Sequence, residues 1–520
     1  MKSHPRLAAA ALSAAVVLGL LPGLQAPASA QDLPSMENKV TVHTLPNGWT
    51  FIIYERPVAP VFSFATYVNV GSAQEVPGIT GMAHMFEHMA FKGTPGIGTN
   101  DYAGEKVALE KVDAAWHAYD TERRKPKADP EKVKALEKAW KDAQEAADKF
   151  IVKNEFGEII DREGGVGLNA GTSADATVYF YSLPSNKTEL FAYLESERFL
   201  KPVFREFYKE RDVVKEERRL RTESQPFGRL IEQFLATAYI AHPFGQPTVG
   251  HMSDLDSFSR EDAEQFYKTH YVPSNMVTSI VGDVKAAEII PMLEKYFGRV
   301  PKGDPPPPVR TVEPPQTSER TVRLPDPSQP IYSEGYHKGS ATDPDEPVFD
   351  AITDVLSNGR TSRLYRSLVR DKQIAVVAQA LGGFPGNRYP GMFIVFAVPS
   401  PGHTNEEVRD AIRTELDRLK TEDISDEELA MVKSRTKAAL IRGLDNNTGL
   451  AENLATYQTL FGDWREMFRT VEKIEKVTKA DIRRVAAKTF VDTNRTVGML
   501  ETQPAAKASA PAARSQEVSR

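Results

Sequence analysis

The run His84-Met85-Phe86-Glu87-His88 constrains this 520-residue chain more than any other feature of its sequence. On an α-helix, residues four apart share a face, so both imidazoles can reach one metal ion while Glu87 lies beside them. This H-x-x-E-H order is typical of a zinc hydrolase whose base lies between two of its ligands. The chain has only ten histidines, so a chance match is expected about once in a hundred such sequences. The alternative is a structural histidine pair beside an acid.

Further sequence blocks accompany the motif in a fixed order. They are residues 45–48, 71–75, 91–94, 164–165, 168–173, 242–245, 271–275 and 281–284. With the inverted motif, the series resembles the pitrilysin/insulinase family of zinc peptidases, the inverzincins, over nearly all of the mature chain. The resemblance implies an α+β fold of two homologous α/β-sandwich domains, each with an antiparallel-rich sheet and helices on one face. Together these domains would form half of a clam-shell chamber that encloses extended or unfolded peptides.

A third metal ligand is expected, because catalytic zinc usually has three protein ligands and one position left for water. Residues 204–218 are rich in acids and resemble the helix that carries the family's third ligand. The resemblance assigns the ligand role to Glu217 and a supporting role to Glu210, which would orient His88 or Glu217 from the same helical face. Spacing alone leaves Glu216 open as the ligand, and these charges could also form an ordinary solvated face.

The stretch between His88 and Glu217 is considerably longer than in the family pattern. Apolar residues at helical spacing lie on both sides of Asp129-Pro130, which is a cap followed by a proline in the first helical turn. They are Leu109, Val112, Trp116 and Tyr119 before it, and Val133, Leu136, Trp140, Ala143, Ala147 and Phe150 after it. About residues 100–157 are therefore predicted to form an inserted helical hairpin with a coiled-coil-like seam. A surface insertion that packs on itself is favoured over a functional element, and His117 within it is predicted not to bind metal.

Residues 1–30 have the pattern of a secretory signal peptide. Lys2 and Arg6 precede an apolar run, and Ala28-Ser29-Ala30 supplies a cleavage site. A membrane anchor is the alternative, but the run is short and is broken by Pro22-Gly23. We therefore expect an exported protein, periplasmic or extracellular, with no membrane anchor once the leader is removed.

Composition agrees with an exported globular protein. The chain has no cysteine, which excludes disulfide bonds and a lipid-modified cysteine, so its stability must come from the core. The formal net charge is −6, and nothing in the sequence indicates a nucleic-acid partner.

A proline-rich stretch divides the mature chain. Residues 301–317 contain too much proline for a helix or a central strand and are predicted to form a semi-rigid linker. The linker would join an N-terminal zinc domain, residues 31–300, to a C-terminal domain, residues 318–502. Residues 503–520, rich in alanine, proline and serine, are predicted to be a disordered tail.

The C-terminal domain is interpreted as a diverged, inactive repeat of the first. Residues 339–343 echo residues 71–75, and each block follows a strand-like stretch. Continuing this alignment without gaps places three apolar residues where the motif has its ligands and acid: Ile352, Val355 and Leu356. The first domain is therefore predicted to hold the metal and the second to form a wall of the chamber.

The resemblance also implies an arginine and, seven residues later, a tyrosine in the second domain, which help to bind the substrate carbonyl and stabilise the oxyanion. The aligned positions hold Val369 and Val376 instead. A shift by one residue gives Arg370 and Val377, still without a tyrosine. Loss of an oxyanion donor lowers a rate about 100- to 1000-fold, so we expect a heterodimer with a homologous subunit that supplies the pair. A homodimer with another donor, such as Tyr365, is the alternative.

These parts imply one zinc ion per chain and hydrolysis of peptide bonds. With zinc on the two motif histidines and Glu217, a water is activated, and Glu87 takes its proton and returns it to the leaving amine. Residues 168–173 resemble the family's edge strand that pairs with the substrate backbone, which makes Asn169 and Ala170 candidates for substrate binding. An ordinary buried strand is the alternative for that segment.

Two other classes of function remain. One is an assembly or peptide-binding subunit that has kept the fold and lost the chemistry, but such chains typically have an eroded motif, and this motif is intact. The other is a structural zinc protein, which would need a fourth protein ligand, and no cysteine exists to supply it. The sequence therefore predicts a zinc metalloendopeptidase.

Overall fold

The computed structural model describes residues 33–503 and contains two mixed β-sheets, each covered by helices. The strands of the first sheet are β1 Val40–Thr44, β2 Thr50–Glu55, β3 Val61–Val68, β4 Val166–Thr172, β5 Thr177–Pro184 and β6 Met276–Gly282. Those of the second are β7 Arg320–Asp326, β8 Ile331–His337, β9 Ala375–Phe384, β10 Met392–Pro399 and β11 Arg495–Thr502. The α+β class predicted from the sequence is confirmed.

Helices fill most of the remaining chain. Those of the first half are α1 Leu33–Glu37, α2 Met82–Met89, α3 Tyr102–Arg123, α4 Pro130–Asp148, α5 Glu155–Arg162, α6 Thr188–Leu200, α7 Phe207–Arg218, α8 Pro226–Ala238, α9 Met252–Leu255, α10 Arg260–His270 and α11 Ala286–Phe297. Those of the second half are α12 Glu346–Ser357, α13 Asn405–Thr421, α14 Asp426–Gly443, α15 Asn447–Phe461, α16 Glu466–Glu475 and α17 Lys479–Thr489. Wider π-helical turns occupy Arg219–Glu223 and Tyr365–Asp371.

The two sheets share one strand order. The first runs β1-β2-β6-β3-β5-β4 and the second β7-β11-β8-β10-β9, so they differ only by the additional edge strand β1. Each contains one parallel pair, β2 with β6 or β7 with β11, beside antiparallel pairs. This confirms that the second half repeats the first. Helix α12 corresponds to α2, and the three apolar residues in place of the motif, Ile352, Val355 and Leu356, are buried in the core of the second half.

Each sheet is closed on its second face by a helix from the other half. In β2, Phe51 and Ile53 face the helices of the first half, whereas Ile52 and Tyr54 pack with α15. Reciprocally, α8 packs on β7 and β11 of the second sheet. The sequence predicted helices on one face of each sheet. The structure adds a helix from the other half on the second face. Because a fully buried apolar side chain contributes about 1.5–3 kcal/mol, the exchange couples the stability of the two halves.

Residues 301–317 contain neither helix nor strand and connect α11 to β7. The carboxylate of Glu313 accepts hydrogen bonds from three consecutive backbone N–H groups after α8, at 2.9–3.0 Å, which fixes this segment to the first half. The predicted signal peptide, residues 1–30, and the tail beyond residue 503 lie outside the described residues, and the predicted domain boundaries stay predictions. Within residues 33–503, no helix has both the length and the apolar character needed to cross a membrane.

Helices α3 and α4 form the predicted hairpin. The carboxylate of Asp129 accepts hydrogen bonds from the N–H groups of Glu131 and Lys132 at the start of α4, at 3.0 and 3.4 Å. The cap and the hairpin therefore follow from local sequence. His117 lies at the surface of α3, 3.0 Å from a carboxylate oxygen of Glu261.

The two helices pack on each other, as predicted, but the prediction of a self-packed surface insertion is wrong because the hairpin also packs on α7. Trp116 and Trp140 lie 4.9 Å apart between ring centroids, and both contact Tyr208 of α7. Glu105 of α3 forms a fully buried ion pair with Arg205, which precedes α7, at 2.7 Å. Helical spacing predicted the apolar seam but could not show that α7 completes it.

Candidate metal centre

Helix α2 carries the H-x-x-E-H run, and its first turn is held by buried contacts. Gly81 precedes it at a φ of 93°, where a Cβ atom would meet the carbonyl oxygen of Val249 at 2.6 Å. The carboxylate of Glu75 accepts hydrogen bonds from the N–H groups of Gly81 and Ala83, both at 2.7 Å. Burial raises the pKa of Glu75 to about 8, although these hydrogen bonds oppose the rise. The segment 71–75 thus fixes the position of the helix that carries both histidines.

The side chains of His84, His88 and Glu217 converge on one point. The Nε2 atoms of the two histidines each lie 3.5 Å from Oε2 of Glu217. One ligand atom from each residue lies within 4.8 Å of the others, so the group could hold a metal ion. Two imidazoles and one carboxylate are a donor set of catalytic zinc sites, which leave a fourth position open. Glu216, the alternative, points away and pairs with Arg219 at the surface.

The electrostatics of α2 differ between its two histidines. Burial lowers the pKa of His84 to about 4, although the nearby carboxylate of Glu217 opposes the change. Burial also lowers the pKa of His88, but hydrogen bonding to Glu210 and the charges of Glu217 and Glu87 outweigh it and raise the pKa above its ordinary value. A metal ion requires the neutral imidazole, so metal binding competes with the proton that these carboxylates favour on His88.

Glu210 lies behind His88 and not behind Glu217. Its Oε2 is 3.4 Å from Nδ1 of His88, and its Oε1 accepts a hydrogen bond from Nζ of Lys92 at 2.5 Å. Burial raises the pKa of Glu210, but the hydrogen bonds from His88 and Lys92 outweigh it and lower the pKa. An ionised carboxylate at Nδ1 favours a proton there, which leaves Nε2 free to face Glu217.

Two cavities meet at these residues. One, of about 800 Å³, lies between the halves, and the second half contributes only apolar residues to it: Leu381, Phe384, Pro385, Ile394 and Phe396. The other, of about 520 Å³, is lined in part by residues 151–156, which follow the hairpin. Asn169 and Ala170 line both, together with Glu87 and His88. They lie on β4, which pairs with β5 along one edge and is exposed along much of its length.

Comparison with known proteins agrees with this geometry. Residues 50–122 match the family model described as Insulinase (Peptidase family M16), and residues 257–436 match the Peptidase M16 inactive domain. The zinc protease PqqE of Helicobacter pylori is 28% identical over 83% of this chain and 86% of that protein. The chain belongs to the pitrilysin/insulinase family of peptidases, M16.

Two further comparisons extend the likeness over most of the chain. The crystal structure of a protease from Helicobacter pylori has a TM-score of 0.75 and 26% identity, covering 89% of this chain and 99% of that one. A probable mitochondrial-processing peptidase subunit beta of Arabidopsis thaliana is 25% identical over 88% of this chain and 77% of that protein. The family model matched by much of the second half describes an inactive domain, in agreement with the apolar residues that replace the motif there.

Several residues at the site were not predicted. Thr172 of β4 hydrogen-bonds Glu87, and Nη1 of Arg221 donates to Oε1 of Glu217 at 2.6 Å. Arg221 follows Glu217 by four residues, a spacing that could have indicated the pair. No local sequence pattern could have indicated the apolar wall from the second half, because the wall depends on how the two halves pack. The valines in place of the arginine and tyrosine, and the alternative donor Tyr365, do not line either cavity in the described part of the chain.

Proposed function

We propose that this chain is a zinc metalloendopeptidase that hydrolyses extended or unfolded peptides in the cleft between its halves. The observation that carries the proposal is the convergence of His84, His88 and Glu217 at a large cavity, with Glu87 beside them. Zinc bound by these three side chains would activate a water and polarise the scissile carbonyl.

Glu87 is the proposed general base and acid. Burial raises the pKa of its carboxyl group, against the hydrogen bond from Thr172 that lowers it. A raised pKa brings a carboxylate nearer to neutral pH, where it can both accept and return a proton. Glu87 takes the proton of the attacking water and delivers it to the nitrogen of the leaving amine.

The substrate backbone is proposed to pair with the free edge of β4. A peptide added as an extra strand gains main-chain hydrogen bonds that depend little on its sequence, which suits extended or unfolded substrates. Asn169 and Ala170 lie at the junction of the two cavities, so they would contact the peptide on both sides of the scissile bond.

We also propose that the chain is exported and works with a second subunit of similar fold. The two-domain fold would form half of a clam-shell chamber, and Val369 and Val376 occupy the positions where the arginine and tyrosine are expected. A relative named as a processing-peptidase subunit supports pairing of this kind. The same two valines favour the second candidate function, an assembly or peptide-binding subunit with little activity of its own.

A quenched fluorescent peptide without structure tests the proposal. The zinc-loaded chain should cleave it, a chelator should abolish cleavage, and added zinc should restore it. Glu87→Gln should keep one zinc ion per chain while cleavage falls about 100- to 10,000-fold, and the exposed neighbour variant Glu216→Gln should match the wild type. Wild-type turnover by Glu87→Gln would contradict the assignment of the base. No cleavage by the zinc-loaded chain, with or without a homologous subunit, would favour the second candidate.

A further inference from the structure

The larger cavity contains a single side chain with a permanent positive charge. Among the described residues that line it, Arg221 is the only arginine or lysine, and none is a tyrosine. The wall from the second half is wholly apolar. Among the described lining residues, Arg221 is therefore the only arginine or lysine that could donate a hydrogen bond to negative charge on a substrate oxygen in this cavity.

Arg221 lies one turn beyond Glu217, in the π-helical turn Arg219–Glu223 that continues α7. Its Nη1 contacts Oε1 of Glu217 at 2.6 Å, whereas Oε2 of the same carboxylate faces the Nε2 atoms of both histidines. The carboxylate of Glu217 thus lies between the guanidinium group and the point where the donor atoms converge. The side chain of Arg221 is 76% exposed and that of Glu217 only 17%, and Arg221 lines the larger cavity.

We propose that Arg221 donates a hydrogen bond to the carbonyl oxygen of the scissile peptide bond and stabilises the charge that develops there. A guanidinium has five N–H donors, and the contact with Glu217 uses one of them. As the water oxygen bonds to the carbonyl carbon, the electron pair of the C=O bond moves to the oxygen beside Arg221, while Glu87 takes the water's proton. When the C–N bond breaks, that pair re-forms the C=O bond and the nitrogen receives the proton from Glu87.

This role rests on the proposed peptidase function and gives the chain a donor of its own, although Val369 and Val376 replace the expected pair. A partner subunit would then add to a basal activity and not create it. The competing interpretation is that Arg221 only orients Glu217. The two differ in what Arg221→Ala changes, because an oxyanion donor acts on the transition state and an orienting residue acts on zinc affinity.

The first measurement compares Arg221→Ala and Arg221→Lys with Arg219→Ala. Arg219 belongs to the same turn but pairs with Glu216 at the surface and lines neither cavity, which makes it a matched control. With one zinc ion per chain verified by mass spectrometry, Arg221→Ala should lower kcat about 100- to 1000-fold with a much smaller change in KM. Arg221→Lys should recover part of the loss, since an ammonium group donates but lacks the planar fork. Arg219→Ala should match the wild type.

The second measurement needs no turnover. A phosphinic peptide carries a tetrahedral, charged group in place of the scissile amide, and its affinity can be measured by calorimetry. Arg221→Ala should weaken it by a factor similar to the loss in kcat. Glu87→Gln and the double variant Glu87→Gln/Arg221→Ala should bind the uncleaved peptide with the same affinity.

Unchanged kcat and unchanged phosphinic-peptide affinity in Arg221→Ala would overturn the inference. It would also be overturned if that variant lost zinc and regained full kcat at saturating zinc, since Arg221 would then only position Glu217. A wild-type chain that cleaves nothing, but binds the phosphinic peptide through Arg221, would contradict the proposed peptidase function and support the oxyanion contact.

Discussion

At the scale of single residues, the candidate metal centre depends on carboxylates that hold other groups in place. Glu75 fixes the first turn of α2, and Glu210 lies against Nδ1 of His88. Each is within hydrogen-bonding distance of the group that it orients, so its loss should act through that group. Such contacts behind a metal site typically contribute 10- to 100-fold to affinity or activity, about 1.4–2.7 kcal/mol.

Glu75 provides a direct test of this dependence. In Glu75→Ala, the buried N–H groups of Gly81 and Ala83 lose their acceptor, which should cost about 1–3 kcal/mol of the free energy of unfolding. Zinc affinity should fall as well, because α2 carries two of the proposed ligands. Urea unfolding and zinc titration check both effects, with the exposed Glu158→Ala as the control. A stable Glu75→Ala protein with wild-type zinc affinity would show that α2 is held by its packing alone.

The residues of the site differ in how far sequence could place them. His84, Glu87 and His88 followed from spacing on one helix, which is a local property. Glu217 lies far beyond His88 in the chain, so only the family resemblance could select it over Glu216, and the geometry brings Glu217 to the histidines. Thr172 and the apolar wall depend on contacts between distant strands, for which no local pattern exists.

At the scale of elements, the hairpin α3–α4 supports α7, the helix that ends next to Glu217. Trp116, Trp140 and Tyr208 form a buried aromatic cluster between them, and the guanidinium of Arg211 lies 4.2 Å from the ring centroid of Trp116. The hairpin itself could be predicted, since its cap and seam are local. Its attachment could not, because the partner residues on α7 lie in a helix whose charges suggested a solvated face.

Trp140→Ala should therefore weaken both the fold and the metal site. Truncation of a buried tryptophan costs about 3–5 kcal/mol, and Trp140 is only 7% exposed. We expect a lower free energy of unfolding in urea and a higher Kd for zinc, because α7 loses part of its support. Lys134→Ala, exposed on the same helix, should change neither. If Trp140→Ala loses stability but binds zinc as the wild type does, the hairpin would not support the site.

At the scale of the whole molecule, each half completes the other. Leu450 and Leu454 of α15 pack on the first sheet, and α8 packs on the second, so the cleft between the halves has walls fixed by exchanged helices. The repeated sheets could be predicted from the echo of residues 71–75 at residues 339–343. The exchange could not, because an apolar helix does not encode which sheet it covers.

We also predict, at the scale of the whole molecule, that the chain works with a homologous second subunit. Purified alone, the chain should bind zinc but cleave unstructured peptides slowly, and this basal activity should depend on Arg221. Addition of a homologous subunit that carries the arginine and tyrosine should raise cleavage at least tenfold, since an oxyanion donor contributes about 100- to 1000-fold. Light scattering of the mixture should give a heterodimer. Full activity of the isolated chain as one species would contradict the requirement for a second subunit.

The central claim is that this chain holds zinc on two histidines of α2 and one acid of α7, with a position left open. Diffraction from crystals of the zinc-loaded protein, recorded at the zinc absorption edge, tests it most directly. We predict one anomalous peak about 2.0–2.2 Å from Nε2 of His84, Nε2 of His88 and a carboxylate oxygen of Glu217, with no fourth protein ligand. A peak bound by Glu216, a peak elsewhere, or a site closed by a fourth side chain would contradict the account.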